Sequence, residues 1–155
     1  MLSFTAPRTP PWLVASLIVP RLYLSNLFTA RDPAQLTELG VTHVLSVVED
    51  APNIPKDMGL RTLHVPIRDE VGVDILGYLD ETTDWIKAAL SENVSNTVLV
   101  HCLVGMSRSA TVVCAYILAT TNMTPSQSIS FVASKRSVVS PNVGFRKQLE
   151  HSDSA

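Results

Sequence analysis

The sequence predicts an α/β domain built around a mostly parallel sheet with helices packed against it. Apolar segments of strand length alternate with helical segments along the whole chain. Residues 41–48 are β-branched and nearly all apolar, as in a strand that is covered on both faces. The bulk composition agrees, because 155 residues with 46% hydrophobic and 17% charged residues suit one globular domain with one core.

The first half of the chain supplies strands and one capped helix. Residues 17–24 are predicted to form an early strand pair, which Pro20 interrupts. Asp32 stands before a proline and three positions before a glutamine, so a helix begins there, and Gly40 ends it. The other elements of this half are a strand at 41–48, a proline-containing loop at 51–59 and a strand at 60–67.

The second half of the chain is richer in helices. Asp74 is predicted to cap a helix over residues 75–91, whose apolar residues recur at helical spacing. Thr124, with a proline after it and a glutamine at the third position, forms a capping box that opens a helix to about Arg136. The other elements are a buried strand at 98–100, an almost wholly apolar helix at 109–120 and a short helix from Pro141.

Charge and cysteine content narrow the possible partners and compartments. The net charge of −2 gives no general attraction to nucleic acid or to an anionic membrane, so neither is expected as a partner. Only two cysteines are present, Cys102 and Cys114, which is too few for a secreted disulfide framework. We therefore expect an intracellular protein, located in the cytoplasm, the nucleus or both.

The N-terminal region is predicted to be a tail over residues 1–16, before a domain over 17–150 and a C-terminal tail over 151–155. The apolar run at 12–19 is too short to cross a bilayer. It is followed by Pro20 and Arg21 and not by the small residues of a signal-peptide cleavage site. The run is therefore interpreted as the end of the tail and the first strand.

One cysteine stands between a buried strand and the start of a helix, in VLVHCLVGMSRSAT at residues 98–111. Gly105 permits a tight backbone path there, so that successive N–H groups converge with those of the helix start to form an anion site. Arg108 offers a planar fork that meets two oxygens of one phosphoryl group. In such a field the pKa of Cys102 is expected to fall, which makes its sulfur a thiolate nucleophile at neutral pH.

Three further side chains complete the predicted chemistry. Ser109 is positioned to donate a hydrogen bond to the thiolate, and His101 to fix the loop backbone. Asp69 follows another strand end and is a candidate to protonate the leaving oxygen and then to activate water, although Glu70 is its neighbour. No metal or other cofactor is expected, because backbone dipoles and Arg108 carry the charge of the transferring group.

These residues resemble the signature of the cysteine-dependent protein phosphatases, and more narrowly a small, atypical dual-specificity phosphatase, over about residues 17–150. The motifs that carry the resemblance are HCLVGMSRS at 101–109, PRLYLS at 20–25, PIRD at 66–69, AYIL at 115–118 and SPNVGF at 140–145 with Gln148 and Leu149. The resemblance implies a phosphotyrosine-phosphatase-like catalytic domain over 17–150 with a central sheet of four or five strands. It also implies phosphoprotein as the substrate partner, carrying phosphotyrosine and phosphoserine or phosphothreonine.

The resemblance assigns a role to each matching position. Cys102 is the nucleophile, Arg108 the phosphate clamp and Asp69 the general acid, and Arg136 matches a position that contacts a second phosphate or the substrate. The phosphate-binding loop comprises Leu103, Val104, Gly105, Met106, Ser107 and Arg108, with His101 and Ser109 in support.

Several alternatives remain open from the sequence alone. The chain could be a catalytically silent phosphoprotein-binding module, a phosphatase of a non-protein phosphate ester, or a sulfur-transfer or arsenate-reducing enzyme. Cys114 lies on the apolar helix and is interpreted as a packing residue, with a reversible disulfide to Cys102 as the alternative.

Overall fold

The computed structural model describes residues 9–152, and its centre is a five-stranded sheet in the order β1-β2-β5-β3-β4. The strands are β1 (Ser16–Val19), β2 (Leu22–Ser25), β3 (His43–Val47), β4 (Arg61–Val65) and β5 (Val98–His101). Among residues 9–152 the β1–β2 pair is antiparallel, and the pairs β2–β5, β5–β3 and β3–β4 are parallel. The predicted mostly parallel sheet is confirmed.

Within the described part of the chain, six α-helices cover the two faces of this sheet. They are α1 (Leu27–Arg31), α2 (Pro33–Leu39), α3 (Leu76–Glu92), α4 (Arg108–Thr120), α5 (Pro125–Lys135) and α6 (Val143–Leu149). The larger part of the core lies between the sheet and α3 to α6, and a smaller cluster packs α1 and α2 on the opposite face. The helix α4 is buried along most of its length, as its apolar sequence predicts.

The three predicted helix caps make hydrogen bonds to the first turns of their helices, and α6 has a further cap that was not predicted. Asp32 accepts from the Ala34 N–H at the start of α2, and Gly40 ends that helix in the left-handed conformation. Thr124 and Gln127 form the complete capping box of α5. Asp74 accepts from Gly77 N–H in the first turn of α3, and Asn142 caps α6.

Two short elements were not predicted. The helix α1 has only five residues and is capped by Asn26, and residues Pro11–Leu13 form a single 3-10 turn. Both have too few residues for a periodic pattern to identify them. The 3-10 turn also shows that part of the predicted tail belongs to the folded domain, whereas residues 1–8 and 153–155 lie outside the described part of the chain.

Candidate active site

The candidate nucleophile lies where the strand and helix patterns predict it, beyond the carboxyl end of a central strand. Cys102 directly follows β5, which pairs with β2 on one side and β3 on the other, and α4 begins at Arg108. The loop between them contains Cys102 at 3% exposure, with Leu103 and Met106 at its rim at 52% and 40%. Ligands of open α/β sheets gather at such an edge.

The Cys102 sulfur accepts two hydrogen bonds. Ser109 Oγ lies 3.0 Å from Sγ, and the Gly105 backbone nitrogen lies 3.3 Å from it. Burial alone would raise the pKa of this thiol, but the side chain and backbone of Ser109, the Arg108 charge and the Gly105 N–H outweigh it and lower the pKa below its ordinary value. The predicted role of Ser109 agrees with this geometry.

The N–H groups of the phosphate-binding loop point away from the groups that bind its carbonyl oxygens. The carbonyl groups of residues 103–107 are occupied from outside the loop or by α4: their donors are Leu27 N, Arg136 Nη2, Arg136 Nε, Ser140 N and Thr111 N, in that order. In a trans peptide the N–H points opposite to the carbonyl of the preceding residue. Since the described part of the chain contains no cis peptide, the N–H groups of residues 104–108 converge on the opposite side, which builds an anion cradle.

Gly105 is required by this arrangement in two ways. Its φ of +81° lies in the left-handed region. A side chain there would also clash with the Ser25 carbonyl and lie 2.9 Å from Arg136 Nη2. The tight turn predicted from the sequence already requires a glycine, and the close approach of Ser25 and Arg136 is a second reason why only glycine fits.

Arg108 is oriented by the loop that precedes the predicted general acid. Its Nη1 donates to the Ile67 carbonyl at 3.0 Å. Its Nε is the buried side-chain polar atom that has no hydrogen-bond partner among the described residues. A buried guanidinium N–H without a partner is costly, so this donor is available for an anion in the cradle.

His101 acts as a neutral structural donor. Burial lowers its pKa to about 4, with the nearby Arg31 and Arg108 charges contributing, although the bond to Cys102 opposes the shift. The Nδ1 atom lies 3.0 Å from the Cys102 carbonyl oxygen, which only accepts, so Nδ1 carries the proton. The Nε2 atom then accepts from Ser46 Oγ at 2.7 Å. Ser46 was not singled out by sequence reasoning, since a serine inside an apolar strand carries no local signal.

The expectation that Arg136 contacts a second phosphate or the substrate is wrong. Arg136 is 2% exposed and lies beneath the loop. Its guanidinium donates to the carbonyls of Val104 and Gly105 in the loop and to those of Trp12 and Val14 in the N-terminal segment. All four are held by charge-assisted bonds, so Arg136 fastens the loop to the first residues of the domain. Burial lowers the pKa of its guanidinium, and the Cys102 charge opposes that shift.

Asp69 lies on the exposed loop after β4, two residues beyond the carbonyl that Arg108 binds. Its Oδ1 accepts from the Asn142 side-chain amide at 2.9 Å. Asn142 also donates its backbone N–H to Ser107 Oγ, at 2.9 Å. The structure therefore ties the predicted acid to the phosphate-binding loop through Asn142, which sequence reasoning had identified only as part of a motif.

A cavity of about 260 Å³ opens beside the phosphate-binding loop. Its lining residues are Leu27, Arg31, Val48, Glu49, Asp50, Ala51, Pro52, Leu103 and Arg108. Arg108 lines this cavity and also belongs to the anion cradle, so the cavity and the cradle adjoin.

The second cysteine is separate from this chemistry. Cys114 is buried on α4, and burial raises the pKa of its thiol to about 12. Both cysteines are free. In residues 9–152 no three His, Cys, Asp or Glu side chains group as metal ligands would, and no helix there has the length and apolar character needed to span a bilayer.

Comparison with known proteins places most of the chain in one group. The family model described as "Dual specificity phosphatase, catalytic domain" matches residues 22–154. Dual specificity protein phosphatase 1 of Arabidopsis thaliana is 39% identical over 138 residues, which is 88% of this chain and 68% of that protein. Dual specificity protein phosphatase 22 of Homo sapiens is 38% identical over 133 residues, which is 86% of this chain and 70% of that protein.

Solved structures agree with the sequence relatives. The crystal structure of human DUSP28 superposes with a TM-score of 0.81 at 31% identity and covers 95% of each chain. The chain belongs to the dual specificity phosphatase family and is a protein phosphatase of the hydrolase class.

Proposed function

We propose that this chain hydrolyses phosphotyrosine and phosphoserine or phosphothreonine on proteins through a phosphocysteine intermediate, without a metal ion. The observation that carries the proposal is the Cys102 sulfur beneath converging loop N–H groups, beside a guanidinium with a free buried donor. A phosphoryl dianion entering this cradle meets the N–H groups and Arg108. Its phosphorus would then stand above the thiolate, in line with the ester oxygen.

The first step transfers the phosphoryl group to sulfur. The Cys102 thiolate forms an S–P bond as the P–O bond to the substrate breaks, and Asp69 gives its proton to the departing oxygen. The three equatorial oxygens stay bound by loop N–H groups and Arg108, which stabilise the charge that develops there.

The second step regenerates the enzyme. Asp69, now a carboxylate, takes a proton from a water molecule as that water attacks phosphorus and the S–P bond breaks. Inorganic phosphate leaves and the thiolate is restored, with Ser109 Oγ donating to it at 3.0 Å. No step requires an electrophile beyond Arg108 and the loop N–H groups.

The substrate proposal rests on the surface of the loop. The variable loop positions Leu103, Val104 and Met106 are uncharged, and two of them are exposed at the rim. An apolar rim favours a phosphorylated side chain on a protein over a highly charged soluble phosphate, and the adjacent cavity of about 260 Å³ would receive a neighbouring residue. An intracellular location is part of the same proposal.

The experiment is hydrolysis of an aryl phosphate and of phosphopeptides with EDTA present. Wild type should turn over, Cys102→Ser should have no activity, and a phosphoryl group should be trapped on Cys102 in rapidly quenched wild type. Tight phosphopeptide binding by an inactive wild type would favour a binding module. Turnover of a non-protein phosphate ester without hydrolysis of phosphopeptides would favour a phosphatase of non-protein substrates. Loss of turnover in EDTA would contradict metal independence.

A further inference from the structure

We propose that Asn142 is a positioning residue for Asp69 and that it determines which oxygen of this carboxyl group carries the catalytic proton. The proposal rests on the proposed function, in which Asp69 is the general acid. It concerns a side chain that stands outside the cysteine loop and outside the loop of Asp69 itself.

The orientation of the Asn142 amide is fixed by its partners. Its Oδ1 accepts from the Phe145 backbone N–H at 2.8 Å, which caps α6. Because a backbone N–H can only donate, the oxygen must lie on that side and the NH₂ group on the other. The Nδ2 atom therefore points at Asp69, whose Oδ1 lies 2.9 Å away.

This contact has a consequence for the protonated acid. An amide NH₂ has no lone pair to offer, so Asp69 Oδ1 must act as the acceptor of this bond. When Asp69 is protonated, the unprotonated carbonyl oxygen is the better acceptor for the Asn142 N–H, so the proton is favoured on Oδ2, from which it can pass to the leaving group. Without Asn142 either oxygen could hold the proton, and the side chain would be free to rotate in solvent.

Asn142 itself stands on a fixed support. Its backbone N–H donates to Ser107 Oγ at 2.9 Å, and the preceding Ser140 N–H donates to the Met106 carbonyl at 2.8 Å. Both acceptors belong to the phosphate-binding loop. The segment from Ser140 to Asn142 is therefore bound to the phosphate-binding loop by two hydrogen bonds and to Asp69 by one.

The helix α6 also holds the chain that follows Asp69. Gln148 Oε1 accepts from the N–H groups of Ile75 and Leu76, each at 2.9 Å, and its Nε2 donates to the Val73 carbonyl at 2.8 Å. Gly144 packs so closely on Val71 that a side chain there would clash with the Val71 carbonyl oxygen. Since these contacts fix the loop backbone, the Asn142 bond is left to set the Asp69 side chain.

The test is Asn142→Ser, because serine is also a good helix cap and keeps the backbone N–H, but is too short to reach Asp69. Two substrates are compared: an aryl phosphate with an acidic leaving phenol, and an alkyl phosphate such as a phosphoserine peptide. The rate compared is kcat/KM, which covers the reaction only up to departure of the leaving group and so leaves out the water step that both substrates share. We expect kcat/KM for the poor leaving group to fall about tenfold or more, within the range that acid catalysis supplies. The value for the acidic phenol should change less than about twofold, because that oxygen departs without a proton.

A double-mutant comparison separates positioning from a general structural role. In the Asp69→Asn background, Asn142→Ser should have no further effect on the alkyl phosphate, since the group it positions has lost its proton. Equal losses on both substrates, or the same loss in both backgrounds, would overturn the proposal. If Asn142→Ser does not fold, Asn142→Thr also keeps a side-chain oxygen that can cap the helix and lacks the amide donor, and the same pattern is required of it.

The outcome for the proposed function is distinct. If wild type turns over both substrates and Asp69→Asn shows the leaving-group selectivity while Asn142→Ser does not, only the positioning role is overturned. If wild type hydrolyses neither substrate, both proposals fail.

Discussion

Replacing Gly105 by alanine tests whether the shape of the phosphate-binding loop depends on close backbone approach as well as on a left-handed residue. Gly105 has φ +81°, and an added Cβ would clash with the Ser25 carbonyl and lie 2.9 Å from Arg136 Nη2. Neither neighbour is free to move, because Ser25 ends β2 and Arg136 binds the loop carbonyls.

The magnitude follows from two separate costs. A left-handed alanine costs about 1–2 kcal/mol, and overpacking against a fixed backbone adds about 1–3 kcal/mol. The free energy of unfolding should therefore fall by about 2–5 kcal/mol. The rate should fall further, because a catalytic group displaced by about 1 Å loses on the order of 10²-fold, and the Gly105 N–H binds the Cys102 sulfur.

Gly59→Ala is the matched control. Gly59 has φ +67° and no atom within 4 Å of an added Cβ, so it isolates the backbone cost. The free energy of unfolding measured by urea denaturation should be about 1–3 kcal/mol higher for Gly59→Ala than for Gly105→Ala. Only Gly105→Ala should lose turnover of an aryl phosphate. Equal stability of the two variants, or full activity of Gly105→Ala, would refute the reasoning.

Three further predictions follow from the site. Ser109→Ala removes a donor to the Cys102 sulfur, so the thiol pKa should rise, and the acid limb of kcat/KM should move to higher pH; an unchanged limb would contradict the assigned bond. Folding lowers the pKa of His101 from the ordinary 6.5 to about 4. Between these two pH values the unfolded chain binds a proton that the folded chain does not, so about 3 kcal/mol of stability is lost as the pH falls from 6.5 to 4. In denaturation curves His101→Asn should lack this dependence, and a parallel curve would argue against a buried neutral ring. Arg136→Met leaves buried carbonyl groups unpaired, so the free energy of unfolding should fall by about 3–5 kcal/mol. Unchanged stability together with a changed preference for doubly phosphorylated peptides would instead support a contact between Arg136 and a second phosphate.

The parts of the site that the sequence predicts are those whose cause is local. Cys102, Gly105, Arg108 and Ser109 stand within eight positions, so the strand, the tight turn and the helix start fix their relation to one another. Capped helices were predicted for the same reason, since Asp32 acts on residues two positions away.

The parts that the sequence did not predict depend on distant partners. Arg136 carries a charge that ordinarily favours solvent, and its burial follows from carbonyl groups more than 120 positions earlier in the chain. The roles of Ser46 and Asn142 likewise require the sheet register and the position of α6. No local pattern encodes these contacts, because they arise only when separate elements meet.

The most direct measurement of the central claim is the titration of Cys102, followed by the ultraviolet absorbance of its thiolate as the difference between wild type and Cys102→Ser. Cys114 contributes equally to both proteins, and burial raises its pKa to about 12, which keeps it protonated across the range. We expect the Cys102 thiolate to be present already at neutral pH and to persist into mild acid. Absorbance that appears only in alkaline solution, as for an ordinary thiol, would contradict the account.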